Sequence, residues 1–170
     1  NGASELFLGI LHALKPKKVI LPVPSFYGYA YTAKAVGSEV VCVPLKKEED
    51  FLPGEEFVLA LQEDAELLFL ANPNNPTGKL MKPAYLENVL EVCKEKNIYV
   101  VLDECFIEFC EKENSIVQKL TTYRNLLIVR AFTKIYAIPG VRLGYLMCSD
   151  KELLQKIRVQ LPEWNLSVFA

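Results

Sequence analysis

Apolar, mostly β-branched runs alternate with amphipathic stretches along the whole 170-residue chain. Apolar runs without polar alternation are typical of strands that are buried on both faces, as in parallel sheets. The order of strand and helix predicts an α/β fold with a mostly parallel sheet and helices on both faces. The predicted strands are 19–23, 39–45, 67–71, 98–103, 126–130 and 141–148, and the predicted helices are 5–14, 27–36, 55–62, 83–95, 115–121 and 151–160.

Polar motifs stand where three of these strands end. Asn72 to Asn75 and Thr133-Lys134 each follow an apolar run, and Asp103 is the last residue of another. In open parallel sheets, ligands bind outside the carboxyl ends of the strands. The three motifs are therefore predicted to meet at one edge of the sheet and to form a site there.

Local chemistry alone leaves two interpretations of several candidates open. Asp103 is a costly unpaired carboxylate at a strand end unless a cation faces it, or it is a helix N-cap or a surface ion pair. Lys134 and Arg142 are a reactive amine and an anion ligand, or they are solvated surface cations. Phe26 is a ligand-stacking ring or an ordinary core residue at a strand end.

The first residues present the same choice. Gly2-Ala3-Ser4 precedes a predicted helix, whose free N–H groups favour an anion. Ser4 is also an ordinary helix N-cap, and the local sequence favours capping. The prolines and the glycine of Asn72-Pro-Asn-Asn-Pro-Thr-Gly78 predict a rigid turn.

Five segments in a fixed order resemble the fold type I pyridoxal-phosphate enzymes, the class I and II aminotransferase family. They are Asn1-Gly-Ala-Ser-Glu5, Pro24-Ser-Phe-Tyr27, Asn72 to Gly78, Val101-Leu-Asp-Glu104 and Arg130 to Tyr145. The resemblance covers nearly the whole chain. It implies the three-layer αβα large domain of that fold and pyridoxal 5′-phosphate as the cofactor.

The resemblance assigns a role to each residue around the cofactor ring. Lys134 would bind the cofactor covalently and then act as general base or acid at the substrate's alpha carbon. Asp103 would face the pyridine nitrogen and keep it protonated, so that the ring draws electrons from the substrate. Phe26 would stack on the ring, and Asn75 would donate a hydrogen bond to its O3′ oxygen. Tyr27 and Tyr29 are weaker candidates, and Glu104 is expected to be structural.

The cofactor phosphate would lie at the other end of this predicted site. Gly2, Ala3 and Ser4 match the family's phosphate loop, which reverses the local preference for capping by Ser4. Arg142 would pair with the phosphate through its planar donor fork. Ala131 stands where the family commonly has a serine or threonine, and Thr133 is expected to compensate in part for the lost hydroxyl.

Phe106 is a second departure, because many aminotransferases have a tyrosine there that donates to O3′. This phenylalanine, together with residues 134–145, resembles the threonine-phosphate decarboxylase branch, which converts L-threonine O-3-phosphate to aminopropanol phosphate for cobalamin biosynthesis. Histidinol-phosphate aminotransferases are close to that branch and remain an alternative. Either reaction implies a phosphorylated amino acid or amine as the substrate.

Composition favours small-molecule partners. The net charge of −2 provides no broad basic field for nucleic acid. No apolar run approaches the roughly 20 residues of a membrane span, and the first residues lack a signal-peptide pattern. The five cysteines contain no CxxC pair and are predicted to be buried free thiols, and the single histidine argues against a metal site. We expect a cytoplasmic enzyme that forms a homodimer.

Residues 1–170 are expected to form one domain. The chain begins without methionine at a segment that is internal in the family, so we expect a fragment that lacks the family's N-terminal arm and C-terminal small domain. A catalytically inert excised domain is therefore one alternative. A Rossmann-like nucleotide-binding domain is another, weakened because neither G-x-G-x-x-G nor G-x-x-x-x-G-K-[ST] occurs.

Overall fold

The computed structural model describes residues 1–61 and 64–170, and its core is one sheet with helices on both sides. The strands are β1 (Lys18–Val23), β2 (Glu39–Pro44), β3 (Leu67–Ala71), β4 (Tyr99–Asp103), β5 (Leu126–Ala131) and β6 (Gly144–Met147), and the helices are α1 (Ala3–Leu14), α2 (Tyr27–Ala35), α3 (Glu55–Ala60), α4 (Pro83–Glu95) and α5 (Lys151–Arg158). Short 3-10 turns occupy Lys47–Glu49, Ile107–Phe109, Lys112–Asn114, Val117–Thr121 and Pro139–Val141.

The six strands lie in the order β2-β1-β3-β4-β5-β6. Strands β1 to β5 pair in parallel, and β6 pairs antiparallel to β5. The predicted α/β fold with a mostly parallel sheet is therefore confirmed. Because β1, β3, β4 and β5 are successive neighbours, their carboxyl ends lie side by side at one edge.

Alternate residues of each central strand enter two separate cores. In β3, Leu68 and Leu70 pack with α3 and α4 on one face of the sheet. Leu67 and Phe69 pack with α1, α2 and α5 on the other face. Every residue of β3 is buried, as the apolar run predicted. The result is the three-layer αβα arrangement.

Two predicted elements differ from the structure. Instead of an α-helix over 115–121, a 3-10 turn spans Val117–Thr121. The backbone of Ser115 is extended, with φ −78° and ψ 141°, and this conformation excludes it from a helix. The Ser115 hydroxyl and the Ile116 N–H both bond the Glu104 carboxylate. The strand predicted over 141–148 begins only at Gly144.

Arg142 explains that shortened strand. Its φ of 58° is left-handed, and this conformation interrupts an extended chain after the 3-10 turn Pro139–Val141. The predicted helix over 55–62 ends at Ala60 in the structure, and Gln62 lies outside the described residues.

The cysteines are free, but most of them are not fully buried. Cys93 and Cys105 are buried, Cys110 and Cys148 are half-buried, and Cys42 is exposed. The prediction of buried thiols is therefore wrong for Cys42, because its strand β2 is the edge of the sheet and is only partly covered. Within 1–61 and 64–170, no helix is long and apolar enough to cross a membrane.

Gly144, at the start of β6, lies against the backbone that precedes α1. A Cβ atom at this position would be 2.9 Å from the Ala3 nitrogen and 3.0 Å from both the Arg130 oxygen and the Gly2 carbonyl carbon. These neighbours are backbone atoms and cannot rotate away. Close packing of the α1 start on the β5–β6 pair therefore requires a glycine here.

We predict that Gly144→Ala lowers the free energy of unfolding by about 1–3 kcal/mol, the usual cost of overpacking. Urea denaturation measures this change. Gly140→Ala is the matched control, because a Cβ atom at Gly140 has no described neighbour within 4 Å. Equal stability of the two variants would contradict the packing argument.

Candidate functional site

A cavity of about 210 Å³ lies at the carboxyl edge of the sheet. The residues that line it come from the start of α1, the loops after β1 and β3, the end of β4 and the segment after β5. They are Ala3, Ser4, Phe7, Phe26, Asn75, Asp103, Cys105, Phe106, Ala131, Thr133, Lys134, Pro139 and Arg142. The structure thus brings together the predicted site residues except Gly2, and it includes the two departures at Phe106 and Ala131.

Asp103 is the buried end of β4 and is only 9% exposed. Its Oδ2 accepts a 2.6 Å hydrogen bond from the Tyr29 hydroxyl, and its Oδ1 accepts a 2.9 Å bond from the Cys105 N–H. The alternative of a surface ion pair is therefore wrong. The N-cap alternative is wrong as well, because the next helical turn is capped at Phe106.

Burial dominates the electrostatics of this carboxyl group. Burial raises the pKa of Asp103 above its ordinary value, because an ionised group loses its hydration there. The hydrogen bonds from Cys105 and Tyr29 and the positive charge of Lys134 act in the opposite direction. A cation placed in the cavity beside Asp103 would oppose the effect of burial in the same way.

Lys134 lies in the turn directly after β5. Its backbone oxygen accepts a 3.1 Å bond from Ala137, and its Nζ lies 5.5 Å from the centroid of the Phe106 ring. An aromatic face attracts an ammonium group. The side chain is exposed, yet it lines the cavity and lies close enough to Asp103 to act on its charge.

The part of the cavity beside the start of α1 is suited to an anion. Helix α1 begins at Ala3, and its N-cap is Gly2 with a φ of 73°, without a side-chain capping bond among the described residues. The interpretation of Ser4 as an N-cap is therefore wrong, since glycine adopts the left-handed cap and places Ser4 inside the first turn. The N–H groups of that turn remain available to a ligand.

Arg142 adds a positive charge to this part of the cavity. Its Nη1 donates a 3.1 Å bond to the Pro139 oxygen, which orients the guanidinium. Its Nη2 is so close to Gly2 that a Cβ atom there would lie 3.1 Å away. Gly2 does not line the cavity itself, but it lets the arginine approach the start of α1. Thr133 also lines the cavity.

The ring of Phe26, the N-cap of α2, occupies space that is free because residue 28 is a glycine. A Cβ atom at Gly28 would overlap the Phe26 ring. The ring also meets Tyr29 edge-on, with 5.5 Å between the centroids. This half-buried aromatic face is thus fixed at the cavity wall, where a flat ligand can stack on it.

The three asparagines of the loop after β3 have different roles. Asn72 pairs with the Met81 backbone, accepting at 2.7 Å and donating at 3.3 Å. The Asn74 amide donates to the Pro24 oxygen at 3.0 Å and to Thr77 at 2.9 Å. Asn75 is left to line the cavity. Two asparagines therefore build the turn, and the third supplies a polar group to the site.

Behind the cavity, Glu104 is fully buried and structural, as expected. It accepts bonds of 3.0 and 2.7 Å from Arg130 and further bonds from Ser115 and Ile116. This network joins the residue after Asp103 to the end of β5. It fixes the two strand ends that carry the site relative to each other.

Sequence reasoning undervalued Tyr29. It was a weaker candidate for a ligand contact, whereas in the structure it is the side-chain donor to Asp103. The available signal was its spacing of three residues from Phe26 along α2, together with the need of a buried tyrosine hydroxyl for a partner. Cys105, Phe7 and Pro139 in the cavity wall were also not anticipated.

Comparison with known proteins agrees with this geometry. The model of the family described as aminotransferase class I and II matches residues 1–169. The threonine-phosphate decarboxylase of Salmonella typhimurium is 34% identical over 100% of this chain and 47% of its own length. The histidinol-phosphate aminotransferase of Pyrococcus furiosus is 35% identical over 98% of this chain and 47% of its own length.

A solved structure shows the same likeness. The histidinol-phosphate aminotransferase from Clostridium acetobutylicum matches 99% of this chain and 50% of its own with a TM-score of 0.90 and 35% identity. The chain thus spans about half the length of the curated relatives it matches.

Replacing the buried carboxyl group tests the electrostatic argument. Because the pKa of Asp103 is raised on folding, its contribution to stability is greatest below the unfolded pKa and is lost as pH rises through the folded pKa. We predict that, without bound ligand, the stability of Asp103→Asn falls less than that of the unsubstituted protein as pH rises above about 4. Urea denaturation at several pH values measures this difference.

The exposed carboxyl group of Asp64 provides the control, and Asp64→Asn should leave the pH dependence unchanged. A steeper loss of stability with rising pH in Asp103→Asn would contradict the argument.

Proposed function

This chain belongs to the aminotransferase class I and II family, and we propose that residues 1–170 form the large, cofactor-binding domain of a pyridoxal 5′-phosphate enzyme. The observation that carries the proposal is that one cavity is lined by groups suited to opposite charges. Asp103 provides a buried carboxyl group, and Arg142 with the start of α1 provides hydrogen-bond donors for an anion. A molecule with a protonated ring nitrogen and a phosphate matches both sets of groups.

The residues present fit this cofactor. The free N–H groups of the first turn of α1, the Ser4 and Thr133 hydroxyls and the Arg142 guanidinium suit a phosphate. Asp103 suits a protonated ring nitrogen, and the fixed Phe26 ring suits a flat aromatic face. Ala131 adds no hydroxyl at the phosphate end, so the α1 backbone and Arg142 carry more of the binding there.

When bound, pyridoxal 5′-phosphate supplies an electron sink for negative charge at the substrate's alpha carbon. Lys134 would be the amine that holds the cofactor covalently and, once released, would move a proton at the alpha carbon. Asp103 would accept the hydrogen bond of the ring N–H, and Asn75 would donate to the ring oxygen O3′. Phe106 has no hydroxyl, so Asn75 would be the main donor to that oxygen.

We propose threonine phosphate as the substrate and loss of its carboxyl group as the reaction. The 34% sequence identity with the decarboxylase of Salmonella typhimurium, over the whole of this chain, supports this choice. The phenylalanine at position 106, which resembles that branch, supports it as well. When carbon dioxide leaves, the electron pair of the broken bond stays with the alpha carbon, and Lys134 Nζ supplies the proton that this carbon needs.

Histidinol-phosphate aminotransferase is the second candidate. The structural match to the Clostridium acetobutylicum enzyme, with a TM-score of 0.90, favours it. In that reaction Lys134 would first remove the proton from the alpha carbon. Both candidates act on a phosphorylated substrate. The family resemblance also supports a cytoplasmic homodimer, and the net charge of −2 supports a small-molecule partner rather than nucleic acid.

We predict that Lys134→Ala abolishes covalent attachment of the cofactor while the protein remains folded. Borohydride reduction of the full-length protein with added cofactor, followed by peptide mass spectrometry, locates the attachment. Lys134→Arg keeps the positive charge but should also prevent attachment, because a guanidinium is not a usable nucleophile. Lys112→Ala, at an exposed lysine, is the control and should be labelled normally. Labelling of another lysine in the unsubstituted protein would contradict the assignment.

The substrate proposal requires a separate assay. The full-length protein loaded with cofactor is expected to release carbon dioxide from O-phosphothreonine without forming glutamate from 2-oxoglutarate. Glutamate formation with histidinol phosphate as amino donor, and no carbon dioxide from O-phosphothreonine, would instead establish the aminotransferase. The absence of both products would reject the two candidates together.

A further inference from the structure

Asp103 receives its side-chain hydrogen bond from a residue behind the cavity wall. The Tyr29 hydroxyl donates to Oδ2 at 2.6 Å, whereas the cavity lining on this side consists of Phe7, Phe26 and Asp103 itself. Tyr29 is only 1% exposed. It therefore acts on the cavity through Asp103 and not by direct contact with a ligand.

Aromatic packing fixes the ring of Tyr29 on three sides. It stacks on Phe69 with 5.0 Å between the centroids and an angle of 9°. It meets Phe7 edge-on at 5.2 Å and Phe26 edge-on at 5.5 Å. A phenylalanine would preserve all of these contacts, so packing alone does not require the hydroxyl.

The Tyr29 hydroxyl is a hydrogen-bond donor to the Asp103 carboxyl group. Burial, and next the charge of Asp103, raise the pKa of Tyr29 well above its ordinary value, so the phenol keeps its proton and remains a donor. A short hydrogen bond from a neutral donor to a carboxylate stabilises the charged form of the acceptor. The Cys105 N–H donates to the other oxygen at 2.9 Å. These two donors oppose the desolvation of Asp103.

We propose that Tyr29 is a positioning residue whose hydroxyl holds the Asp103 carboxylate ionised and in place for the protonated ring nitrogen of the cofactor. This inference rests on the proposed function, because it requires a cofactor with such a nitrogen. The effect is specific to one atom of the ligand. Loss of the hydroxyl weakens the contact with the ring nitrogen and leaves the phosphate, ring-face and Lys134 contacts intact.

The test compares two ligands of the full-length protein. One is pyridoxal 5′-phosphate, and the other is an analogue in which C–H replaces the ring nitrogen. Tyr29→Phe is expected to raise the dissociation constant of the cofactor about tenfold and to leave that of the analogue unchanged, as measured by absorbance titration. In an Asp103→Asn background, Tyr29→Phe should have no further effect on either constant.

A matched control lies on the other face of the sheet. Tyr123 is also 1% exposed, and its hydroxyl donates to Glu91 at the same 2.6 Å. Tyr123→Phe removes an equivalent phenol–carboxylate bond away from the cavity and should change neither dissociation constant. Thermal denaturation of the two variants compares their stability.

Three outcomes would overturn the inference. An equal loss of affinity for both ligands in Tyr29→Phe would show a general structural role. Unchanged affinity for both would show that the hydroxyl is dispensable. If the unsubstituted protein binds neither ligand, the proposed function itself fails, and this result is distinct from the other two because it precedes any substitution.

Discussion

The buried carboxylate of Asp103 is the constraint on which the site depends. A charge at the end of an apolar strand is costly unless neighbouring groups compensate for the lost water. Three segments supply that compensation, namely Tyr29 from α2, the Cys105 N–H after β4 and the Lys134 charge after β5. One charge therefore fixes the relative placement of a helix and two strand ends. The cavity lies where these compensating groups meet.

The same strand ends are connected a second time behind the cavity. Glu104 follows Asp103 directly, and its partner Arg130 precedes Lys134 by four residues. A buried ion pair contributes little net stability over apolar packing, but removal of one partner leaves an unpaired buried charge. The main effect of the Glu104–Arg130 pair is therefore to fix the position of the end of β4 relative to β5. Accurate placement of the two site residues follows from it.

The sequence was sufficient for the features that depend on local periodicity. Buried parallel strands are uninterrupted apolar runs, so the ends of β3, β4 and β5, and hence Asn75, Asp103 and Lys134, were placed correctly at one edge. Features that depend on side-chain contacts between different segments could not be predicted from local sequence patterns. Instead of the α-helix expected over 115–121, the structure has a 3-10 turn over Val117–Thr121, and Ser115 and Ile116 bond the Glu104 carboxylate, a contact that local periodicity does not predict.

Backbone conformation set a second limit. The cap of α1 is formed by Gly2 in a left-handed conformation and not by Ser4, and the strand before Gly144 is interrupted by left-handed Arg142. Serine is a frequent N-cap and arginine is rarely left-handed. Local propensities therefore favoured a cap at Ser4 and an extended conformation at Arg142, and both predictions were wrong. Both exceptions lie beside the part of the cavity that is suited to an anion. The backbone is irregular at both residues, and this conformation places the Arg142 guanidinium beside the N–H groups at the start of α1.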